Sequence, residues 1–237
     1  MIQRMTEGHT AVSWHSVIAQ NFDAAYRTNP NFRERLSVWS KWIDTYARPD
    51  FSAADLGCGS GVFTLCLSRV CKHVTALDGS GEMISLAKAK LAENNAHNVS
   101  FVENDIKGFS QSSAEKFDIV TCSSVVEYLD DLEGTLQAIA AIVKPGGLLL
   151  ISSPNKRSFF RRVEPYLHRY IGRPRYYKFV KNVLYREDMR SRLEHLGFDI
   201  VDFSFYARTR MLSPLFRKIG LREYSDNMYA YVCRKKV

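Results

Sequence analysis

The stretch Asp55-Leu56-Gly57-Cys58-Gly59-Ser60-Gly61 sets three glycines at alternate positions and places a carboxylate two residues before the first of them. Glycine lets a chain turn tightly and lets its backbone approach a ligand with no Cβ in the way, and the N–H groups of a following helix would point at the same place. A pyrophosphate-binding turn instead has the spacing G-x-G-x-x-G. A carboxylate beside it would repel two phosphates, whereas an ammonium or a sulfonium would be attracted. The stretch therefore predicts a loop that holds a cationic cofactor. Two further carboxylates follow. Asp78 ends the apolar run His73–Asp78 about 20 residues beyond the glycines, where its two oxygens can accept both hydroxyls of a ribose. Asp105-Ile106 follows the run Val99–Glu103, and there a carboxylate can accept an exocyclic amine while the next N–H donates to a ring nitrogen.

These groups need a scaffold that brings strand ends together. Phe51, Ala53, Ala54 and Leu56 form a short buried strand, and Val62, Leu65, Cys66, Leu67 and Val70 face a helix onto a sheet. Ser80 can cap a helix whose face is Met83, Ile84, Ala87 and Leu91. Lys116–Cys122 is a fourth strand that runs into Ser123-Ser124-Val125-Val126-Glu127-Tyr128. Asp130 or Asp131 caps a helix through Val143, which Lys144-Pro145-Gly146-Gly147 stops before a fifth strand, Leu148–Ser153. Polar groups thus gather at the carboxyl ends of successive strands, where an open α/β sheet binds ligands. Two amphipathic helices precede the sheet, one over Trp14–Tyr26 and one over Phe32–Ile43. Trp14, Trp39 and Trp42 either pack on the core or wall a pocket.

In this order the motifs resemble the class I S-adenosylmethionine (SAM) methyltransferases over roughly residues 50 to 155. The nearest pattern is that of the small-molecule O-methyltransferases of ubiquinone biosynthesis; methyltransferases acting on magnesium protoporphyrin are less similar. The resemblance implies an α/β, doubly wound seven-stranded sheet, Rossmann-like, with an antiparallel last strand. It implies SAM as cofactor, with Asp55, Gly57, Cys58, Gly59 and Gly61 at its methionine end. Asp78, Gly79 and Met83 would hold the ribose and adenine, Asp105 and Ile106 would read the adenine, and Ser123 would complete the site. Met83 serves equally as a core residue. Where the family often has Glu-His after strand four, this chain has Glu127-Tyr128, and a tyrosine with a pKa of about 10 is a weak base. Glu127, Tyr128, His15 and His168 are the candidate catalytic residues. Glu127 can instead hold a backbone amide, and His15 can be a solvated helix histidine.

Charge divides the chain. Residues 1 to 155 carry 13 Lys and Arg against 17 Asp and Glu, and residues 156 to 237 carry 20 against 8, so the net +8 comes from the last third. Lys156 to Arg192 holds 12 of these bases, interleaved with Phe159, Phe160, Val163, Tyr166, Leu167, Tyr170 and Ile171 at helical spacing. That pattern predicts a basic helical insertion after strand five, a lid facing an anionic acceptor or an anionic membrane surface. At 237 residues one domain suffices: cover helices in 1–48, a cofactor core in 49–155, the lid in 156–192 and completion of the sheet in 193–237.

No apolar run approaches 18 residues, and Met1–Ser13 lacks the apolar stretch of a signal peptide, so the expected location is cytoplasmic, or peripheral on the inner membrane face. Five cysteines without a C-x-x-C pair read as reduced thiols, and no metal site is expected. The expected partner is a small-molecule methyl acceptor. Arginine interleaved with aromatics also suits a nucleic acid, but no RNA-binding module is appended. A non-catalytic SAM-binding scaffold is the third reading, and oligomeric state is left open.

Overall fold

The structure, a computed structural model, describes residues 10–209 and 213–237. Two helices lead, α1 (Ala11–Thr28) and α2 (Pro30–Tyr46). Thr10 accepts from the Ser13 amide to start the first, and Asn29 with Pro30 behind it starts the second. The alternating core follows as β1 (Ser52–Leu56), α3 (Val62–Ser68), β2 (His73–Asp78), α4 (Gly81–Glu93), β3 (Val99–Glu103), α5 (Ile106–Ser112), β4 (Phe117–Cys122), α6 (Leu132–Ile142) and β5 (Val143–Pro154). Ser80, Asp105 and Asp131 cap α4, α5 and α6, each accepting a backbone N–H three residues on. Beyond these lie α7 (Phe159–Ile171), a 3-10 turn at Arg175–Phe179, α8 (Arg186–His195), β6 (Phe198–Arg208), α9 (Ser213–Lys218), α10 (Arg222–Ser225) and β7 (Asp226–Lys235). The basic apolar stretch expected from Met211 begins outside the described residues.

The seven strands form one sheet in the order β3-β2-β1-β4-β5-β7-β6, the doubly wound arrangement expected. The five core strands are parallel, and β7 is antiparallel to both neighbours. Side chains alternate across it with period two. Val120, Cys122, Leu149, Ile151, Tyr229 and Tyr231 face the layer of α5, α6 and α8, while Ile119, Leu148, Leu150, Met228 and Ala230 face α2 and α3. Trp39 and Trp42 are buried in that second layer, and the Trp42 indole and Tyr46 hydroxyl both donate to Asp202 of β6.

The antiparallel strand β7 lies between β5 and β6, because it is buried on both faces whereas β6 carries Asp199 and Asp202 and tolerates exposure at the edge. The Lys144–Gly147 stop ends α6 as expected, but it belongs to β5, looping out where the register with β4 shifts between Phe117 and Ile119. Gly147 is needed there: a Cβ would come within 2.9 Å of the Lys144 carbonyl oxygen.

The insertion is built inside out. In α7 the one buried residue is Glu164, paired to Arg161 at 2.8 Å and accepting from the Tyr176 hydroxyl, while Phe159, Tyr166, Tyr170 and Ile171 are exposed by half or more. The packed face is thus ionic. Those four look outward beside Arg162 and Arg169, while Phe160, Val163 and Leu167 are half-buried.

Candidate active site

A cavity of about 240 Å³ opens over the carboxyl ends of β1, β2 and β4, with α1 and α2 as its other wall. The glycine loop forms its floor. Gly57 has φ +67° and lies so close to Val125 that a Cβ would meet the valine Cγ2 at 2.3 Å, so only glycine allows β1 and the turn after β4 to meet. Gly61, also left-handed, lets α3 rest on α4, where a Cβ would come within 2.9 Å of the Ala87 Cβ. Asp78 pins the loop from β2. Its Oδ2 accepts from the Gly59 amide at 2.8 Å and its Oδ1 from the Ser80 amide at 2.9 Å, and burial raises its pKa against those bonds. The Gly79 amide favours the charged form as well.

Gly57, Cys58, Gly59, Asp78, Gly79 and Met83 line this cavity, as do Asp105, Ile106, Ser123, Tyr128 and His15. Met83 is also 2 % exposed, so it serves pocket and core together. Four expected site residues do not line it. Asp55 lies beneath the loop, buried, with its two oxygens taken by the hydroxyls of Thr64 and Thr121, each at 2.7 Å. Its charge reaches the cavity only through the loop above. Gly61 shapes the turn from behind. Glu127 turns its side chain away into the protein, where one carboxyl oxygen has no hydrogen-bond partner and burial pushes its pKa up. Its own carbonyl accepts from the Lys181 and Asn182 amides, which ties the strand-four turn to the insertion. His168 sits on α7, with Nδ1 at 3.2 Å from the Pro174 carbonyl oxygen and its ring against Tyr177.

Sequence reasoning missed Arg35. It lines the cavity from α2 at 9 % exposure, donating from Nε to the Ser123 hydroxyl at 3.0 Å and from a terminal nitrogen to the Ser123 carbonyl at 2.9 Å. Its guanidinium lies over the rings of Phe63 and Tyr26. Among the described residues no carboxylate forms an ion pair with it. The signal was present, since Arg35 stands three residues after Phe32 and four before Trp39, on the apolar stripe of its helix. A charge on a buried face has a task or a cost.

Burial draws the His15 imidazole below its ordinary pKa of 6.5, with the Ala11 hydrogen bond acting against that and the Arg35 charge adding to it. Burial pushes the Tyr128 hydroxyl upward, so it stays protonated at neutral pH. The cavity therefore brings together a buried cation, the Asp78 carboxylate, the Asp105-Ile106 pair and an imidazole that burial holds towards its neutral form.

An open doubly wound sheet with this glycine loop and acid-ended second strand defines a nucleoside-cofactor fold. The chain belongs to the methyltransferase domain family, whose model matches residues 32–202. It is 29% identical over 109 residues to the ubiquinone biosynthesis O-methyltransferase of Serratia proteamaculans, a match covering 46% of this chain and 45% of that one. The chain thus spans about half the length of the curated relatives it matches. Among solved structures it resembles the magnesium protoporphyrin IX methyltransferase of Synechocystis with bound S-adenosylhomocysteine (SAH), at a TM-score of 0.65 and 16% identity, covering 92% of this chain and 94% of that one. It also resembles the [4+2]-cyclase SpnF, at a TM-score of 0.70 and 15% identity, covering 96% and 97%. At such identities the likeness is one of fold.

Proposed function

We propose that this chain is a SAM-dependent methyltransferase that acts on an oxygen of a hydrophobic or anionic small molecule. The observation that carries the reading is the pairing, across one glycine-floored cavity, of the Asp78 carboxylate at the end of β2 with a buried Arg35 that forms no ion pair among the described residues. These fit the two ends of SAM. Arg35 would take its carboxylate, Asp78 its ribose hydroxyls, and Asp105 with the Ile106 amide its adenine, while Met83 supplies an apolar wall. Asp55 and Gly61 shape the loop from beneath. When bound, SAM supplies a methyl group on a positively charged sulfur, and the protein's contribution is to hold the acceptor in line with it and to exclude water.

α1 performs the covering. Ser16 meets Ser80 hydroxyl to hydroxyl at 2.7 Å, Asp23 pairs with Lys90, and the Trp14 ring packs on Phe179 of the insertion. The cover helix and the lid thereby touch. The exposed apolar and basic face of α7 suits an anionic membrane surface, from which a hydrophobic acceptor would enter; no helix among the described residues is long and apolar enough to cross a membrane.

Calorimetry with SAH tests the reading. Binding is expected, and Asp78→Ala should weaken it by about 10- to 100-fold, the loss of hydrogen bonds to a charged group at about 1.5–3 kcal/mol. Unchanged affinity in that variant would refute the ribose assignment. A mass-spectrometric screen for SAM-dependent gain of a methyl group, run on lipid, quinone, tetrapyrrole and polar fractions of a cell extract, then identifies the acceptor.

A further inference from the structure

We propose that His15 is the general base that accepts the proton of the methyl acceptor, an inference that rests on the methyl-transfer reading above. The imidazole lines the cavity, and its Nδ1 lies 2.8 Å from the Ala11 carbonyl oxygen one turn earlier on α1. A carbonyl oxygen can only accept, so Nδ1 carries the hydrogen and Nε2 keeps its lone pair. Three rings hold this orientation edge to face: Trp14 at 4.8 Å, Tyr128 at 4.9 Å and Phe22 at 6.0 Å. A base used at one atom needs a fixed tautomer and a fixed ring. His15 has both.

The other titratable groups on the cavity wall are poorly suited. The oxygens of Asp78 each hold a backbone amide, and Asp105 spends one oxygen capping α5. Burial keeps Tyr26, Tyr128 and the Cys58 thiol protonated. Arg35, facing His15 from α2, opposes a second positive charge and so favours the neutral ring in the resting state. Glu127 and His168 lie off the cavity.

In the step itself the acceptor oxygen gains the methyl group, the C–S bonding pair stays on sulfur, and the acceptor's proton moves to Nε2. The imidazolium then returns its proton to solvent. Because His15 rides on α1, the base is in place only while that helix covers the cavity. A positioned base of this kind contributes about 10²- to 10⁴-fold.

Protein labelled with 15N-histidine, with and without SAH, gives a direct test by NMR across about pH 5 to 8, the window of imidazole titration. The signal lost in His15→Gln should report the Nδ1–H tautomer and a midpoint below 6.5. An Nε2–H tautomer, or a midpoint above its ordinary value, would overturn the proposal, and this readout needs no turnover. With para-substituted phenols as acceptor probes, His15→Gln should lose about 10²-fold or more on the least acidic phenol and progressively less as the phenol ionises unaided. An equal loss across the series would also overturn it. Calorimetry separates the two readings: absence of SAH binding by the wild type defeats the methyl-transfer reading, whereas SAH binding retained by His15→Gln places its defect in proton transfer.

Discussion

Arg35 is a cation on an apolar helix face; it forms no ion pair among the described residues, meets the charges of Asp55 and Glu127 only through space, and is maintained against a desolvation cost of several kcal/mol. Its use for a ligand makes a prediction with two parts. Arg35→Met should weaken SAH binding by about 10- to 100-fold, through loss of a charged hydrogen bond. It should leave unfolding free energy within about 1 kcal/mol of the wild type, since relief of the unpaired charge offsets the lost Ser123 contacts. Calorimetry and urea unfolding together check this, and a large fall in stability would make Arg35 a structural residue. His15 gives a prediction in pH. Its folded pKa lies below the unfolded value of 6.5, so between the two the unfolded chain binds more protons. The stability from the neutral ring is complete above 6.5 and is lost as pH falls through 6.5 towards the folded pKa. Urea unfolding over a pH series should show the wild type losing stability relative to His15→Gln in that window, by at most about 1.4 kcal/mol per pH unit. A flat difference would mean that the ring is as protonated in the fold as out of it.

At the scale of elements, α7 departs from the usual amphipathic helix. The 3 and 4 spacing of Phe159, Val163, Tyr166 and Tyr170 was legible in the sequence, but that spacing does not say which side a helix turns inward. The ionic cluster of Arg161, Glu164 and Tyr176 decides it, since a carboxylate at 0 % side-chain exposure must keep its partners. The outer face then offers apolar side chains and arginines together. Vesicle sedimentation should show binding to anionic bilayers that falls about 30-fold in Arg162→Gln/Arg169→Gln, from two charges at about 1 kcal/mol each. Equal binding to neutral and anionic vesicles would sink the lipid reading. Here too the structure corrects a residue: Glu127 was legible as a polar group after strand four, but the 3-10 turn at Val126–Tyr128 points Tyr128 into the cavity and Glu127 behind it.

Across the whole molecule the acidic first two thirds build the cavity, and the basic last third supplies the insertion, the edge strand β6 and its inner neighbour β7. The parallel core was legible because each strand there is a short apolar run closed by a glycine or a capping residue, and local patterns of that kind act within a few residues. The cofactor loop, Asp78 and Asp105 were legible for the same reason: their positions at strand ends follow from the strands. The order of β7 and β6 was not, because it rests on the pairing of β5 with β7, whose partners such as Leu148 and Arg234 lie far apart in the chain, and on burial of β7 on both faces. The cover helices and His15 were legible as candidates, but what they meet across the cavity was not. Arg35 stands 88 residues from Ser123 in the chain, and His15 meets Tyr128 across a still longer separation. By itself, then, the sequence determined the sheet, its glycine loop and the carboxylates at its strand ends. Only the tertiary structure decided that Asp55 braces the loop from below and that Arg35 and His15 converge on one cavity, because contacts between α1, α2 and distant strand ends join positions far apart in the chain.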